Sequence, residues 1–433
     1  MSRVKGVAKR LGGFTASVVV SGVVSLATVP FVVVYAGTES WAAVAVGQSL
    51  GAIVGIFTLL GWVQNGPTEV ARSSPADRGS YFARSVYVRC LSLVVTVPAV
   101  AVVSVLLGTA HVGLCVLSAL TILVMNLGAS WFFVGEENPF GLFVFETIPK
   151  AAGIAAGTVA LALGAAPVVY GWLGLAGAVC AVVVSWLDVF RRNPRHGYVR
   201  PSVRGVVRIV KEQKHGIGTA VLSAVYLSAP LLIVQGLYAG ATATFALADK
   251  IKQQAMTAYR PASQVAQGWT PKAGRTEMHR RVQAVAKWIL PLAFAAALSF
   301  SAFGPLASHL LSGGRIQIGW GMAVAFGIAF GMNIISLTVG VACLVPLGRE
   351  SSITGSATIG LVTFAASAVP AGLLLGGVGI AWAVALGQSA VAAYQLVVFT
   401  THMRRLKRER SNEVSFAERG CRWDTATDVR RIF

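Results

Sequence analysis

The sequence predicts an all-α polytopic membrane protein of about twelve transmembrane helices, and three observations support this fold class. Hydrophobic residues make up 55% of the 433 residues and charged residues only 12%, with a mean hydropathy of +0.70, whereas soluble globular proteins have about 25% charged residues. Apolar runs long enough to cross a bilayer, which takes about 20 residues, recur along the chain. The 47 glycines follow no three-residue period, which excludes a collagen-like chain. The composition also excludes a water-soluble enzyme.

The apolar runs form two groups of six, separated by a basic stretch. The predicted spans lie at 11–35, 40–64, 86–108, 111–134, 141–164, 167–190, 216–236, 241–266, 287–311, 318–346, 353–375 and 378–400. The eighth span is the least hydrophobic because it contains several charges. We therefore predict an N-terminal six-helix bundle (1–190), a basic cytoplasmic linker (191–215), a C-terminal six-helix bundle (216–400) and a basic tail (401–433).

The formal net charge of +20 comes from basic residues that collect on one side of the predicted bundle. This side includes Arg3, Lys5, Lys9, Arg10, Arg191, Arg192, Arg195, Arg200, Arg204, Arg208, Lys211, Lys214, Lys272, Arg275, Arg280, Arg281 and the tail. The loops on the other side hold one basic residue, Arg315. Because basic loops stay in the cytoplasm, we predict a plasma-membrane protein with both termini cytoplasmic, and we expect no binding to nucleic acid.

The two halves show a weak internal repeat. Tyr35-Ala36-Gly37 aligns with Tyr238-Ala239-Gly240, and the same register places Gln64 on Gln267 and Arg72 on Arg275. Each tripeptide is predicted to form the first external turn of its half. A parallel repeat of six-helix halves is a common transporter architecture with the substrate held between the halves. Chance similarity between two membrane hairpins is the alternative.

Charged residues inside the eighth span predict a polar stripe. At about 100° per residue, one face carries Asp249, Lys252, Gln253, Arg260, Ser263 and Gln267, with Lys250 about a quarter-turn away. Such residues are costly in a membrane and usually face a cavity or a partner. The stripe therefore indicates the wall of an aqueous cavity. The alternative is an Asp249–Lys252 ion pair, with Arg260 extending to the interface.

Two further spans carry charges or a small-residue pattern. In the fifth span, Glu146 and Lys150 have the i, i+4 spacing of a helical ion pair, which is either structural or part of a substrate and proton site. Arg89, near the start of the third span, is either a substrate contact or an interface residue. In the second span, Gly47, Gly51 and Gly55 repeat every four residues, which predicts close helix packing.

No motif in the sequence indicates catalysis. A Walker A loop, a nucleophile elbow and a His/Cys cluster with metal-ligand spacing are absent, and the five cysteines occur singly. Lipid-dependent glycosyltransferases and polymerases usually carry an acidic catalytic residue on a sizeable external loop, whereas the predicted external loops are short and offer only Glu39. We therefore predict that the protein is not an enzyme and has no metal or cofactor.

The linker contains an amphipathic segment at 203–211. Valine and isoleucine residues alternate there with Arg204, Arg208 and Lys211. This pattern predicts either a helix that lies on the inner leaflet with its cations near anionic lipid, or a solvated basic linker.

Several segments together resemble the polysaccharide flippases of the multidrug/oligosaccharidyl-lipid/polysaccharide (MOP) exporter superfamily, the Wzx-type O-antigen and exopolysaccharide transporters. One is the opening hairpin from Ser21 to Arg72, with its Tyr-Ala-Gly turn and the sequence Thr68-Glu69-Val70-Ala71-Arg72. Another is the seventh–eighth hairpin, APLLIVQGLYAGATATFALADKI, from Ala229 to Ile251. The basic amphipathic linker is the third. The resemblance covers most of the chain in layout.

The resemblance implies a V-shaped pair of six-helix bundles that flips a polyprenyl-diphosphate-linked oligosaccharide from the inner to the outer leaflet. Lys252, Arg260 and Lys150, with Arg89 and Gln253 beside them, are the candidate substrate-binding residues, because cations neutralise a diphosphate. Glu146 and Asp249 are the candidate ion-coupling residues. Membrane lipid, the lipid-linked glycan and cell-surface polysaccharide assembly proteins are the expected partners. An ion-coupled small-molecule exporter is the alternative, followed by a membrane glycosyltransferase or polymerase.

Overall fold

The computed structural model describes residues 2–194, 201–212, 214–270, 275–349 and 351–428, and twelve long helices account for most of them. In the first half these are α1 (Ser2–Phe31), α2 (Thr38–Val54), α3 (Pro75–Leu106), α4 (Val112–Met125), α5 (Ile148–Ala162) and α6 (Pro167–Arg192). In the second half they are α7 (Lys214–Leu237), α8 (Thr242–Trp269), α9 (Arg275–Leu311), α10 (Trp320–Thr338), α11 (Ser351–Leu375) and α12 (Gly377–Asp428).

Short helical segments extend or connect these helices. They are the π-helices Val32–Ala36, Leu142–Thr147 and Val339–Leu344, the 3₁₀-helix Ala239–Ala241, and the α-helices Ile56–Leu59, Trp62–Arg72, Ser130–Gly135, Pro139–Gly141 and Val203–Glu212. The last of these, Val203–Glu212, is called the linker helix below.

The predicted fold class is confirmed. Within the described residues, 11 helices are long and apolar enough to cross a membrane. The predicted eighth span coincides with α8, whose charges keep it out of that set. With 28 residues and a rise of about 1.5 Å per residue, α8 is long enough to span the bilayer, and it packs against α1, α2 and α10.

Two spans of the first half are broken. The second span stops after Leu59, where Leu60 (φ 47°) and Gly61 (φ 78°) adopt left-handed backbone. The fourth is interrupted between Met125 and Ser130. The Asn126 side chain at this second break donates to the carbonyl of Gly55. This bond therefore ties the break in the fourth span to Gly55, the residue that follows α2.

Glycines set the closest helix contacts, as the repeat in the second span predicts. A Cβ atom on Gly51 would lie 2.7 Å from the carbonyl oxygen of Ala119 in α4. Gly153 of α5 faces Gly177 of α6, and a Cβ on Gly153 would lie 2.6 Å from the Gly177 Cα. Only glycine permits this approach, so α2–α4 and α5–α6 pack as rigid pairs.

The two halves share one hydrophobic core at one end of the bundle. We call the end that carries residues 73–74, 136–138, 193–194 and 201–202 the basic end, and the other the opposite end. One cluster at the opposite end combines residues of both halves, among them Val29, Trp41, Val234, Phe245 and Phe326. Towards the basic end, each half instead has its own cluster. The halves therefore join at the opposite end and separate towards the basic end.

Three hydrogen bonds cross between the halves in this shared region. Trp41 Nε1 donates to the carbonyl of Ala243 (3.2 Å), and Gln235 Nε2 donates to the carbonyl of Leu107 (3.2 Å). Arg315, the one basic residue of the predicted external loops, donates to the carbonyl of Val33 (3.3 Å). These bonds and the cluster around them form what we call the seal.

The linker helix lies against the first half. Val206 and Val210 on its apolar side pack against the aromatic cluster at the basic end, whereas Arg204, Arg208 and Lys211 are exposed. The apolar side is thus partly covered by protein. The basic residues predicted within 195–200, 271–274 and 429–433 lie outside the described residues.

Candidate functional site

A chain of cavities runs between the halves from the basic end towards the middle of the bundle. The basic-end cavity, of about 440 Å³, is lined by α1, α5 and α8. It shares Ser21, Ser25 and Lys150 with a deeper central cavity of about 290 Å³. The central cavity in turn shares Gln48 and Lys250 with a small cavity of about 120 Å³.

A fourth opening, the side groove, leaves this chain laterally between α1 and α8. It has a volume of about 560 Å³ and shares Gly22, Thr257 and Arg260 with the basic-end cavity. Its α1 wall is apolar and includes Val19 and Val23, which are 53% and 61% exposed. The groove therefore connects a polar cavity with an apolar surface at the side of the bundle.

Three cations line these cavities. Lys150 lies between the basic-end and central cavities, Lys250 between the central and small cavities, and Arg260 between the basic-end cavity and the side groove. The two carboxylates on the same walls are Glu146 and Asp249. Three cations against two carboxylates make the wall positive by one charge. Within the described part of the chain, Lys250 and Arg260 form no ion pair, so both can meet an anion.

The cavity face of α8 differs from the predicted stripe by about a quarter-turn. Its lining residues are Lys250, Gln253, Gln254, Thr257, Arg260 and Gln264. Lys252 and Ser263, which the stripe included, are buried on the other side of the helix. There Tyr259 hydrogen-bonds Thr338 and Met256 enters the hydrophobic cluster of the second half. Packing of these large side chains decides the rotation of the helix.

Lys252 thus lies away from the cavities. It is 5% exposed, forms an ion pair with Asp249 (2.7 Å) and lies over the ring of Phe326 at 5.1 Å. Asp249 also accepts a hydrogen bond from Gln253, and both of these residues line the small cavity. The ion pair that the sequence offered as an alternative is therefore present, while Asp249 still reaches the cavity wall.

The predicted pair in the fifth span is also present. Lys150 Nζ lies 2.7 Å from Glu146 Oε2. Glu146 is 1% exposed and belongs to the π-helix Leu142–Thr147, whereas the Lys150 side chain is 19% exposed towards the cavities. The cation faces the open space and the carboxylate lies behind it.

Arg89 is separated from the cavities by protein. It is fully buried and donates to the carbonyls of Asn126 and Gly128 (both 3.0 Å) at the break in the fourth span, and to Ser85. Its guanidinium also lies over the Trp131 ring at 5.6 Å. Arg89 is therefore an internal residue of the first half and does not reach a molecule in the cavities.

Sequence reasoning missed several lining residues. Lys250 was excluded by the assumed helix rotation, although Gln254, Thr257 and Gln264 mark its face as polar. Gln48 also lines the cavities, and its position as an isolated amide in an apolar span could have indicated this from the sequence. Tyr170 of α6 also lines the central cavity, and nothing in the sequence around it distinguishes it from an interface tyrosine.

Comparison with known proteins shows which fold the chain has. The sequence matches no protein-family model and no curated protein. The structure is similar to an inward-facing multidrug resistance MATE family transporter of the MOP superfamily, with a TM-score of 0.65 at 13% identity over 90% of this chain and 96% of that one. It is similar to the lipid II flippase MurJ in an inward closed conformation, with a TM-score of 0.60 at 13% identity over 89% and 87% of the two chains.

An outward-facing MATE family transporter of the same superfamily gives a lower TM-score of 0.51, at 14% identity over 91% of this chain and 97% of that one. The neighbours are transporters, and at these identities the likeness concerns the fold. The chain is an all-helical polytopic membrane protein with the fold of the MOP superfamily transporters.

Proposed function

We propose that this protein is a flippase that moves a polyprenyl-diphosphate-linked oligosaccharide from the inner to the outer leaflet during polysaccharide biosynthesis. The observation that carries the proposal is the continuity of a positively charged cavity with the apolar side groove between α1 and α8. A lipid-linked glycan has the same division: a charged and polar head on a hydrocarbon tail. The head occupies the cavities while the tail remains in the groove and the surrounding lipid.

The charges on the cavity wall suit a diphosphate. Lys150 comes from the first half and Lys250 from the second, and both line the central cavity. An anion between them attracts both cations and so draws the halves together. Each of these attractions is stronger in the cavity than in water, because the effective dielectric constant is lower there. Ser21, Ser118 and Thr121 on the same wall offer hydroxyl groups to phosphate or sugar oxygens.

Transport proceeds by alternating access. In this conformation the cavities reach the basic end and the seal closes the opposite end. Asp249 and Glu146 are the candidate coupling residues, because each is a carboxylate on the cavity wall with a cation one helical turn away. Substrate that takes Lys150 releases Glu146, and substrate at Lys250 lies beside Asp249 in the small cavity. Either event links substrate binding to uptake of a cation or proton. With both termini in the cytoplasm, the basic end faces the leaflet in which the substrate is made.

A leaflet-translocation assay in proteoliposomes tests the proposal, with a defined polyprenyl-diphosphate sugar as substrate. The critical variant is Lys250→Met, because Lys250 forms no ion pair with any described residue, so its loss leaves no buried carboxylate alone. We expect flipping to fall about tenfold or more, as for loss of a charge-assisted contact worth about 1.5–3 kcal/mol. The matched control is Lys211→Met on the exposed side of the linker helix, which we expect to flip at the parent rate.

A multidrug or other small-molecule exporter is the second candidate, because an inward-facing MATE family transporter is among the structural neighbours. The same proteoliposomes distinguish the two. Efflux of a fluorescent organic cation without any flipping of the lipid-linked sugar would replace the flippase proposal by this one. The positive cavity wall opposes it for cationic drugs.

A further inference from the structure

A fully buried arginine lies behind the Glu146–Lys150 pair. Arg89 is 0% exposed, and a charge is costly to bury within a membrane span unless it has a specific role. Its guanidinium donates to two carbonyls at the break in the fourth span and to Ser85. These bonds explain how the break is stabilised. They leave open why the residue is an arginine rather than a neutral donor.

Gly128 connects Arg89 to the cavity wall. Its carbonyl accepts from Arg89 Nη1 at 3.0 Å, and a Cβ atom on Gly128 would lie 2.6 Å from Glu146 Oε1. The carboxylate therefore occupies the space that any other residue at 128 would fill. Glu146 Oε1 is buried and has no hydrogen-bond partner among the described residues, whereas Oε2 is held by Lys150. Gly128 therefore lies between the guanidinium of Arg89 and the carboxylate of Glu146.

We propose that Arg89 is a positioning residue that provides a permanent counter-charge for Glu146 and so releases Lys150 to bind an anionic headgroup. The inference rests on the proposed function in that the anion binds at Lys150. Without an anion, Glu146 lies between two cations. When a phosphate takes Lys150, the Arg89 guanidinium on the other side of Gly128 remains as the counter-charge of the carboxylate.

The surroundings of Glu146 agree with this role. The other charged side chain that lines the basic-end cavity, Arg260, is a cation, and so is Lys250 in the adjoining central cavity. Glu146 is therefore the one carboxylate among the described residues that line the basic-end cavity. The coupling role expected for Glu146 and Asp249 then falls to Asp249.

Binding of farnesyl diphosphate to the purified full-length protein tests the inference, with farnesol as the control for its tail. Arg89→Met removes the counter-charge behind Gly128 and leaves Glu146 with Lys150 as its ion-pair partner among the described residues. We therefore expect affinity for the diphosphate to fall about tenfold. Arg89→Met combined with Glu146→Gln removes the competing carboxylate, and we expect affinity to return to the parent value or above. Arg89→Lys keeps the charge without the branched donor, and we expect affinity within about threefold of the parent.

The outcomes separate this inference from the proposed function. Failure of the parent protein to prefer the diphosphate over farnesol would contradict the proposed anion site itself. A parent that binds, with a double variant no better than Arg89→Met, would show that Arg89 only supports the break in the fourth span. If Arg89→Met fails to fold, Arg89→Gln decides, because it keeps an amide donor for the break in the fourth span and removes the charge: a tenfold loss of affinity supports the inference, and parent affinity overturns it.

Discussion

Removal of the three hydrogen bonds of the seal should open the opposite end of the protein. The variant combines Trp41→Phe, Gln235→Leu and Arg315→Met, each of which deletes a donor while keeping most of the side-chain volume. Hydrogen bonds between membrane helices contribute about 0.6 kcal/mol on average and up to about 1.7 kcal/mol. Three such bonds contribute about 2 kcal/mol together, and because none can form across separated halves, their loss favours opening by about 30-fold.

The assay measures labelling of a cysteine by a membrane-impermeant maleimide in a cysteine-free background. Val29 of α1 is 0% exposed within the seal, so Val29→Cys reacts only when the opposite end opens. We expect the triple variant to raise its labelling rate about 30-fold and Trp41→Phe alone about threefold, since independent contributions add. The reference is Glu39→Cys, which is exposed and should react equally in all backgrounds. An unchanged rate at Val29→Cys would refute the assignment of these bonds as the seal.

Three other predictions follow from charge and packing. Arg208→Cys should be labelled only from the cytoplasm and Glu39→Cys only from outside, because basic loops stay inside; the reverse pattern in intact cells would invert the topology. Lys252→Ala should destabilise the fold by about 3 kcal/mol, because Asp249, whose side chain is 14% exposed, loses its ion-pair partner; thermal unfolding in detergent should show recovery in the Asp249→Ala, Lys252→Ala double variant, and no recovery would argue against the pair. Gly51→Ala should cost about 1–3 kcal/mol, because its Cβ would lie 2.7 Å from a carbonyl oxygen of α4; an unchanged unfolding temperature would contradict that close packing.

The membrane fold class could be predicted from sequence because hydrophobicity is a local property. A span needs about 20 apolar residues whatever it packs against, and the positions of the predicted spans agree with the helices found. The ion pair of Glu146 and Lys150 was also predictable, since i, i+4 geometry within one helix needs no knowledge of its neighbours. The glycine repeat of the second span also indicated close packing, because residues four apart lie on the same face of a helix.

The rotation of α8 was not predictable in this way. Two overlapping faces of this helix carry polar residues, and the sequence alone does not rank them. Packing of Met256 and Tyr259 against the second half selects one face for burial. It therefore buries Lys252 and turns Lys250 towards the cavity.

The sequence by itself determined the number of apolar runs, their positions along the chain, and the Glu146–Lys150 ion pair. All of these depend on neighbours along the chain. Only the tertiary structure decided that Arg89 lies inside the first half behind Gly128, that Arg315 reaches Val33 in the other half, and that an apolar groove joins a charged cavity. These features depend on which helix faces meet, and that is decided by side-chain packing between segments far apart in sequence.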